Sequence, residues 1–286
     1  MQSGLVALAF VFLASTDVAD GSPTLERIAE TGVMRIGFVP DAPPLSFSHS
    51  DGSAAGYSID LCQQIAESVR GTLALESLDI EFVPLVSMED RISAVESGRV
   101  DIECGATTVT LSRRERVDFT LMTFITGSAI MSRSDAPIDT VEDAMGKTIA
   151  AIRGTTTEAV LRQMTEVNRI NLTLALIETH DQGVELLNKN EVDGYASDRA
   201  MLIGQEFRAE NARNRYTLSR GALSFEPYAM MVKRGDVEFR LVADRALAGV
   251  YRTAKIRRLH QLWFGQYGET ITPIVEAMYQ FQAVGE

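Results

Sequence analysis

From residue 34 onward, short apolar runs alternate with stretches whose apolar residues recur three or four apart. That alternation restricts the chain to an α/β fold. Residues 34–39 read as a first strand, after which Leu61, Cys62, Ile65, Ala66 and Val69 recur at helical spacing. Residues 80–83 read as a second strand. Ile92 and Val95 mark a second helix that ends at Gly98, and a strand over 100–104 runs into a Thr-rich loop. A second set holds strands at 128–132, 147–152 and 172–177, with helices beginning near Thr155 and Asp181. A strand over 193–196 leads into a helix beginning at Asp198, and residues 226–232 form another strand. A long helix from Asp236 and a shorter one ending at Trp263-Phe264 complete the body. No low-complexity linker separates the sets and no short-period repeat occurs. Crossings without a floppy tether suit two lobes joined by paired strands.

At 286 residues the chain is long enough for one large domain or two modest ones. A net charge of −12 with no Lys/Arg run argues against a nucleic-acid surface. It does not exclude an anionic ligand, because one buried Arg sets the local field regardless of the global sum. The only long apolar run, residues 5–14, is too short to span a bilayer and suits the core of a secretory signal. Ala19 and Gly21 fit a cleavage site before Ser22, so residues 1–21 read as a signal peptide and the mature chain as exported and soluble. The missing Lys or Arg before the run departs from that pattern, and a buried N-terminal segment is the alternative. Cys62 and Cys104 match no metal spacing. A disulfide and two separate buried thiols both remain open.

Three motifs carry chemistry. The string from Asp101 through Thr107, Thr108 and Thr110 to Arg113 sets hydroxyls and a guanidinium beside the end of a strand. That is a grip for a small carboxylate, although an Arg paired with a surface acid would leave the same trace. In Gly154-Thr155-Thr156-Thr157-Glu158, Thr155 and Glu158 form a capping box, and the helix start it marks favours an anion. Capping alone needs no ligand. In Asp193-Gly194-Tyr195-Ala196-Ser197-Asp198 an acid ends a strand just before a helix, where open α/β sheets collect ligands. A plain helix cap is the alternative.

In order and spacing these motifs resemble the polar amino-acid family of bacterial periplasmic solute-binding proteins. Gly56-Tyr57-Ser58-Ile59-Asp60-Leu61, Val117-Asp118-Phe119-Thr120 and Leu262-Trp263-Phe264-Gly265 extend the likeness over nearly the whole mature chain. The strings around Glu103–Thr108 and Gly154–Glu158 look most like the glutamate/aspartate-binding branch. The resemblance implies two α/β lobes joined by paired hinge strands (type II). Lobe one would be discontinuous, residues 23–124 plus 227–286, with lobe two, residues 125–226, inserted. It implies that Thr108, Arg113, Thr155 and Thr156 hold a ligand α-carboxylate and that Asp198 receives the α-ammonium. It further implies a monomer in the periplasm that closes on an amino acid and presents it to an inner-membrane ABC permease, with no cofactor or metal.

The side-chain pocket departs from the glutamate/aspartate branch. Arg91 stands where that branch reaches the distal carboxylate, but Val39, Met88 and Gln182 replace an expected Arg, Ser and His. Ala106 replaces a Ser, and Ala42 stands where many members carry an aromatic ring, which leaves Tyr57 as the expected stacking wall. The expected ligand is therefore an acidic or amide L-amino acid. Two alternatives are a sensor that delivers the closed form to a receptor, and a cyclohexadienyl or arogenate dehydratase-like enzyme. The enzyme would need a poised acid or base, for which Glu103 and His180 are the spare candidates.

Overall fold

The computed structural model describes residues 21–167, 170–208 and 215–285. The apolar run at residues 5–14 and Ala19 lie outside them. The chain starts with helix α1 (Pro23–Thr31), strand β1 (Val33–Phe38) and three short strands β2 (Asp41–Ala42), β3 (Ser46–Ser48) and β4 (Ala54–Ala55) that form their own small sheet. Helix α2 (Tyr57–Thr72), β5 (Asp79–Pro84), α3 (Met88–Glu96), β6 (Ile102–Glu103) and α4 (Leu111–Arg114) follow, and then the long strand β7 (Val117–Arg133). Next come β8 (Thr148–Ile152), α5 (Thr156–Glu166), β9 (Thr173–Ile177), α6 (His180–Asn188), β10 (Gly194–Asp198), α7 (Arg199–Arg208) and β11 (Tyr216–Leu218). The chain returns through β12 (Phe225–Lys233) and closes with α8 (Val237–Tyr251), α9 (Lys255–Phe264) and α10 (Pro273–Gln282).

The main strands run in the order β5-β1-β6-β12-β7-β10-β8-β9, and β11 also pairs with β7. The first five strands belong to one lobe and the last three to the other, because β7 runs through both. At 17 residues it spans roughly 55 Å. β12 lies antiparallel to it from Phe225↔Gly127 to Lys233↔Val117, with irregularities on either side of Ala229. The two α/β lobes joined by paired strands are as the sequence leads one to expect. The sequence suggested a strand only over 128–132, because Thr123, Thr126 and Gly127 interrupt the apolar pattern where the strand passes between the lobes.

Each lobe buries both faces of its sheet, which explains the near-continuous apolar strands. In lobe one, Ile36, Ile65, Val232 and Leu247 pack on one face. Leu85, Ile92, Val95 and Phe119 pack on the other. In lobe two the alternation of β8 divides Ala150, which packs with Tyr195 and Leu202, from Ile149 and Ala151, which pack with Leu161. Cys62 on α2 and Cys104 just after β6 form a disulfide with Cα atoms 6.4 Å apart, which closes the alternative left open by the sequence. It pins the loop that leaves β6 to the first helix of lobe one.

Candidate functional site

The lobes meet across a cleft. The His180 backbone N–H donates to Asp41 Oδ2 at 2.7 Å, and Gln205 Nε2 donates to the Asp41 carbonyl at 2.6 Å. Gly204 of α7 approaches lobe one so closely that an added Cβ would lie 2.1 Å from the Pro43 carbonyl oxygen. The cavity between the lobes is lined on the lobe-one side by Met88, Arg91, Ala106, Thr108 and Arg113, and on the lobe-two side by Ile152, Thr155, Thr156, Asp198 and Met201.

Local chemistry places Arg113. Thr110 caps α4 by accepting from the Arg113 N–H at 3.1 Å, and this turns the Arg side chain back toward the preceding loop. Its Nη1 donates to the Thr108 carbonyl at 2.6 Å and its Nη2 to the Gly154 carbonyl across the cleft at 3.4 Å. Burial first, and the neighbouring Arg91 second, lower its pKa to about 10. It remains a cation at neutral pH, held largely by carbonyl dipoles.

The opposing helix α5 starts at the expected capping box. Thr155 Oγ1 accepts from the Glu158 N–H at 3.2 Å, while Glu158 Oε2 accepts from the Gly154 N–H at 2.6 Å. The Thr155 hydroxyl also donates to the Ile152 carbonyl at 2.7 Å. It is spent inside its own turn, so Thr155 offers the cavity its position more than its hydroxyl.

Asp198 ends β10 and points at the same cavity. Thr157 Oγ1 donates to its Oδ1 at 3.3 Å, and the Tyr228 hydroxyl donates to its other oxygen. Burial raises the Asp198 carboxyl to about 7, helped by the neighbouring Glu226 charge and opposed by these hydrogen bonds and by Arg113. A buried cation and a half-buried acid thus line one cleft, and a ligand bearing both charges would pair with each.

Arg91 is buried and lines the cavity, but it is already partnered. Its Nε donates to Glu103 Oε1 at 2.9 Å and its Nη2 to the Thr107 hydroxyl, which itself donates to Glu103 Oε2 at 2.8 Å. Gly105 passes over this pair so tightly that a Cβ would meet Glu103 Oε1 at 2.2 Å. Glu103, one of the spare acids, is therefore an ion-pair partner. His180, the other, shares a hydrogen bond between its Nδ1 and the Tyr195 hydroxyl.

Two expected site residues lie elsewhere. Tyr57 is not a wall of the cleft: it is fully buried in lobe one, donating to the Thr123 carbonyl at 2.8 Å and sharing a 2.7 Å hydrogen bond with the Tyr279 hydroxyl. Its ring packs against Phe124 and Phe264, because the first turn of α2 faces the core. Gln182 is exposed. Its Oε1 accepts from the Glu178 N–H at 2.8 Å, so it serves the start of α6 instead of a ligand. The residue that sequence reasoning missed is Glu226, on β12 where the lobes join. It is 1% exposed, and its Oε2 accepts from both Thr108 Oγ1 and Thr156 Oγ1 at 2.6 Å. Its one sequence signal is an acid inside an otherwise apolar strand.

Two lobes, paired crossing strands and a charged cleft define a solute-trapping protein of the two-lobed class. Residues 34–266 match the model of the bacterial extracellular solute-binding proteins, family 3, and the chain belongs to that family. It is 30% identical over 262 residues to the L-glutamate/L-aspartate-binding protein of Pseudomonas aeruginosa, covering 91% of this chain and 86% of that one. It is 26% identical over 241 residues to the glutamate/aspartate import solute-binding protein of Escherichia coli, covering 84% and 79% respectively. In shape it is similar to the solute receptor for L-cysteine of Neisseria gonorrhoeae, with a TM-score of 0.76 over 88% of this chain and 98% of that one at 24% identity.

Proposed function

We propose that this protein is the extracytoplasmic substrate-binding component of an ABC-type amino-acid importer and closes on a polar L-amino acid. Arg113 and Asp198 carry the reading: a buried cation on lobe one and a half-buried acid on lobe two line the same cavity. Arg113, with the N–H groups at the start of α5, takes the α-carboxylate, and Asp198 takes the α-ammonium. Thr108, Thr156 and Ala106 line the same end. The hinge lies where residues 124–127 pair with residues 225–228, so that lobe one comprises residues 23–124 plus 227–286 and lobe two residues 125–226. Closure about it presents the loaded form to an inner-membrane permease. The protein works as a monomer in the periplasm.

The ligand side chain is acidic or amide, and the structure favours the amide. Arg91 is the cation available to a distal carboxylate, and Glu103 already neutralises it. Asp41 also lines the cavity and repels a further negative charge. Binding is favoured over catalysis, because Glu103 and His180 are engaged in hydrogen bonds of their own. A thermal-shift screen of the standard L-amino acids tests the reading. Glutamine or asparagine should raise the melting temperature most, with glutamate and aspartate behind. A largest shift from lysine or arginine would overturn the specificity, and no shift from any amino acid would overturn the function.

A further inference from the structure

Glu226 sits among the groups assigned above to the ligand's α-carboxylate. Its Oε2 accepts at 2.6 Å from Thr108 Oγ1 of lobe one and at 2.6 Å from Thr156 Oγ1 of lobe two, and its Oε1 accepts from the Ser224 hydroxyl. A threonine hydroxyl carries one proton, so a Thr that donates to Glu226 has none to give to a ligand carboxylate. The charges agree with this. Arg91 is paired with Glu103, so Arg113 faces both Asp198 and Glu226. An amino-acid carboxylate brought to Arg113 with Glu226 in place would set a third negative group in a buried site.

We infer that Glu226 is a resident carboxylate occupying the ligand-carboxylate subsite, and that an amino acid binds by displacing it. The inference rests on the assignment of Thr108, Thr156 and Arg113 to the α-carboxylate. In this role Glu226 ties the lobes together through two hydroxyls and sets the affinity of the cleft. Because the competitor is a carboxylate, it selects for ligands whose own carboxylate is also gripped by Arg113. A neutral analogue such as an amino-acid amide gains nothing from that cation.

Two measurements on the wild type, Glu226→Ala and Glu226→Gln decide it. The first is small-angle scattering with no amino acid added. Glu226→Ala should have a larger radius of gyration than the wild type, because the tie between the lobes is gone, and an unchanged radius overturns the tie. The second is calorimetry with L-glutamine and L-glutamate as probes. Removal of a competitor should tighten binding about tenfold in Glu226→Ala, and less in Glu226→Gln, which keeps an acceptor but loses the charge. Weaker binding in both variants would show that Glu226 orients the threonines in the bound state, which overturns displacement. If neither probe binds any of the three proteins, the amino-acid reading fails, and scattering still decides whether Glu226 ties the lobes. Glu226→Gln preserves the shape of the site, so it keeps the test open if the alanine variant does not fold.

Discussion

Arg91 Nε lies 2.9 Å from Glu103 Oε1, and both side chains are shut away from solvent, at 8% and 0% exposure. The pair joins α3 to the end of β6, immediately before the Thr loop, and Thr107 bonds to both members. The cation expected to read a ligand's distal carboxylate is therefore also a structural partner.

Removing one member should cost more than removing both. Arg91→Ala strands a buried carboxylate and should destabilise the protein by about 3–5 kcal/mol. The Arg91→Ala/Glu103→Ala double variant should recover part of that loss. Urea unfolding of Arg91→Ala, Glu103→Ala and the double variant checks it, and a double variant destabilised relative to the wild type by the full sum of the two single losses would contradict the pairing.

The acid at Asp198 predicts a pH dependence with a defined sign. Its carboxyl is raised from 3.8 to about 7, so its contribution to stability is present below 3.8 and is lost as the pH rises through 7. A ligand ammonium favours the ionised form, so amino-acid affinity should increase between about pH 5 and pH 8, with proton release on binding below 7. Calorimetry in buffers of different ionisation enthalpy measures that proton directly. Asp198→Asn should flatten the profile; an unchanged slope would move the ammonium to another acid.

The bond between Cys62 and Cys104 closes a loop with a sequence separation of 42. Chain entropy assigns such a loop about 4 kcal/mol of stabilisation. Reduction, or Cys62→Ala with Cys104→Ala, should lower the melting temperature markedly and loosen the Thr loop. Weaker amino-acid binding alongside the lower melting temperature would mark the loop as the part affected; equal melting temperatures with and without reductant would contradict a structural role.

What the sequence revealed was what depends on neighbours a few residues away. Thr155 and Glu158 announce the start of α5 from a spacing of three. The alternation of strands and helices was equally plain, because each lobe buries both faces of its sheet. The position of Tyr57 was not legible: whether the first turn of α2 faces the core or the cleft depends on Tyr279, 222 residues later. Glu226 was hidden for the same reason, since its partners Thr108 and Thr156 lie 118 and 70 residues away. The unbroken course of β7 was obscured because its centre is polar where it leaves one core for the other. Helix α1 and the small sheet of β2, β3 and β4 carry too few apolar positions to stand out.

The most direct test of the account is calorimetry of Arg113→Ala beside the wild type, using the L-amino acid that gives the largest thermal shift. The hydrogen bonds of Arg113 go to carbonyl oxygens, where Arg91 pairs directly with a buried carboxylate, so the variant should still fold. Loss of Arg113 leaves a buried ligand carboxylate without a cation and should weaken binding by about 100-fold or more. Affinity retained within about threefold would place the carboxylate grip elsewhere and contradict the account.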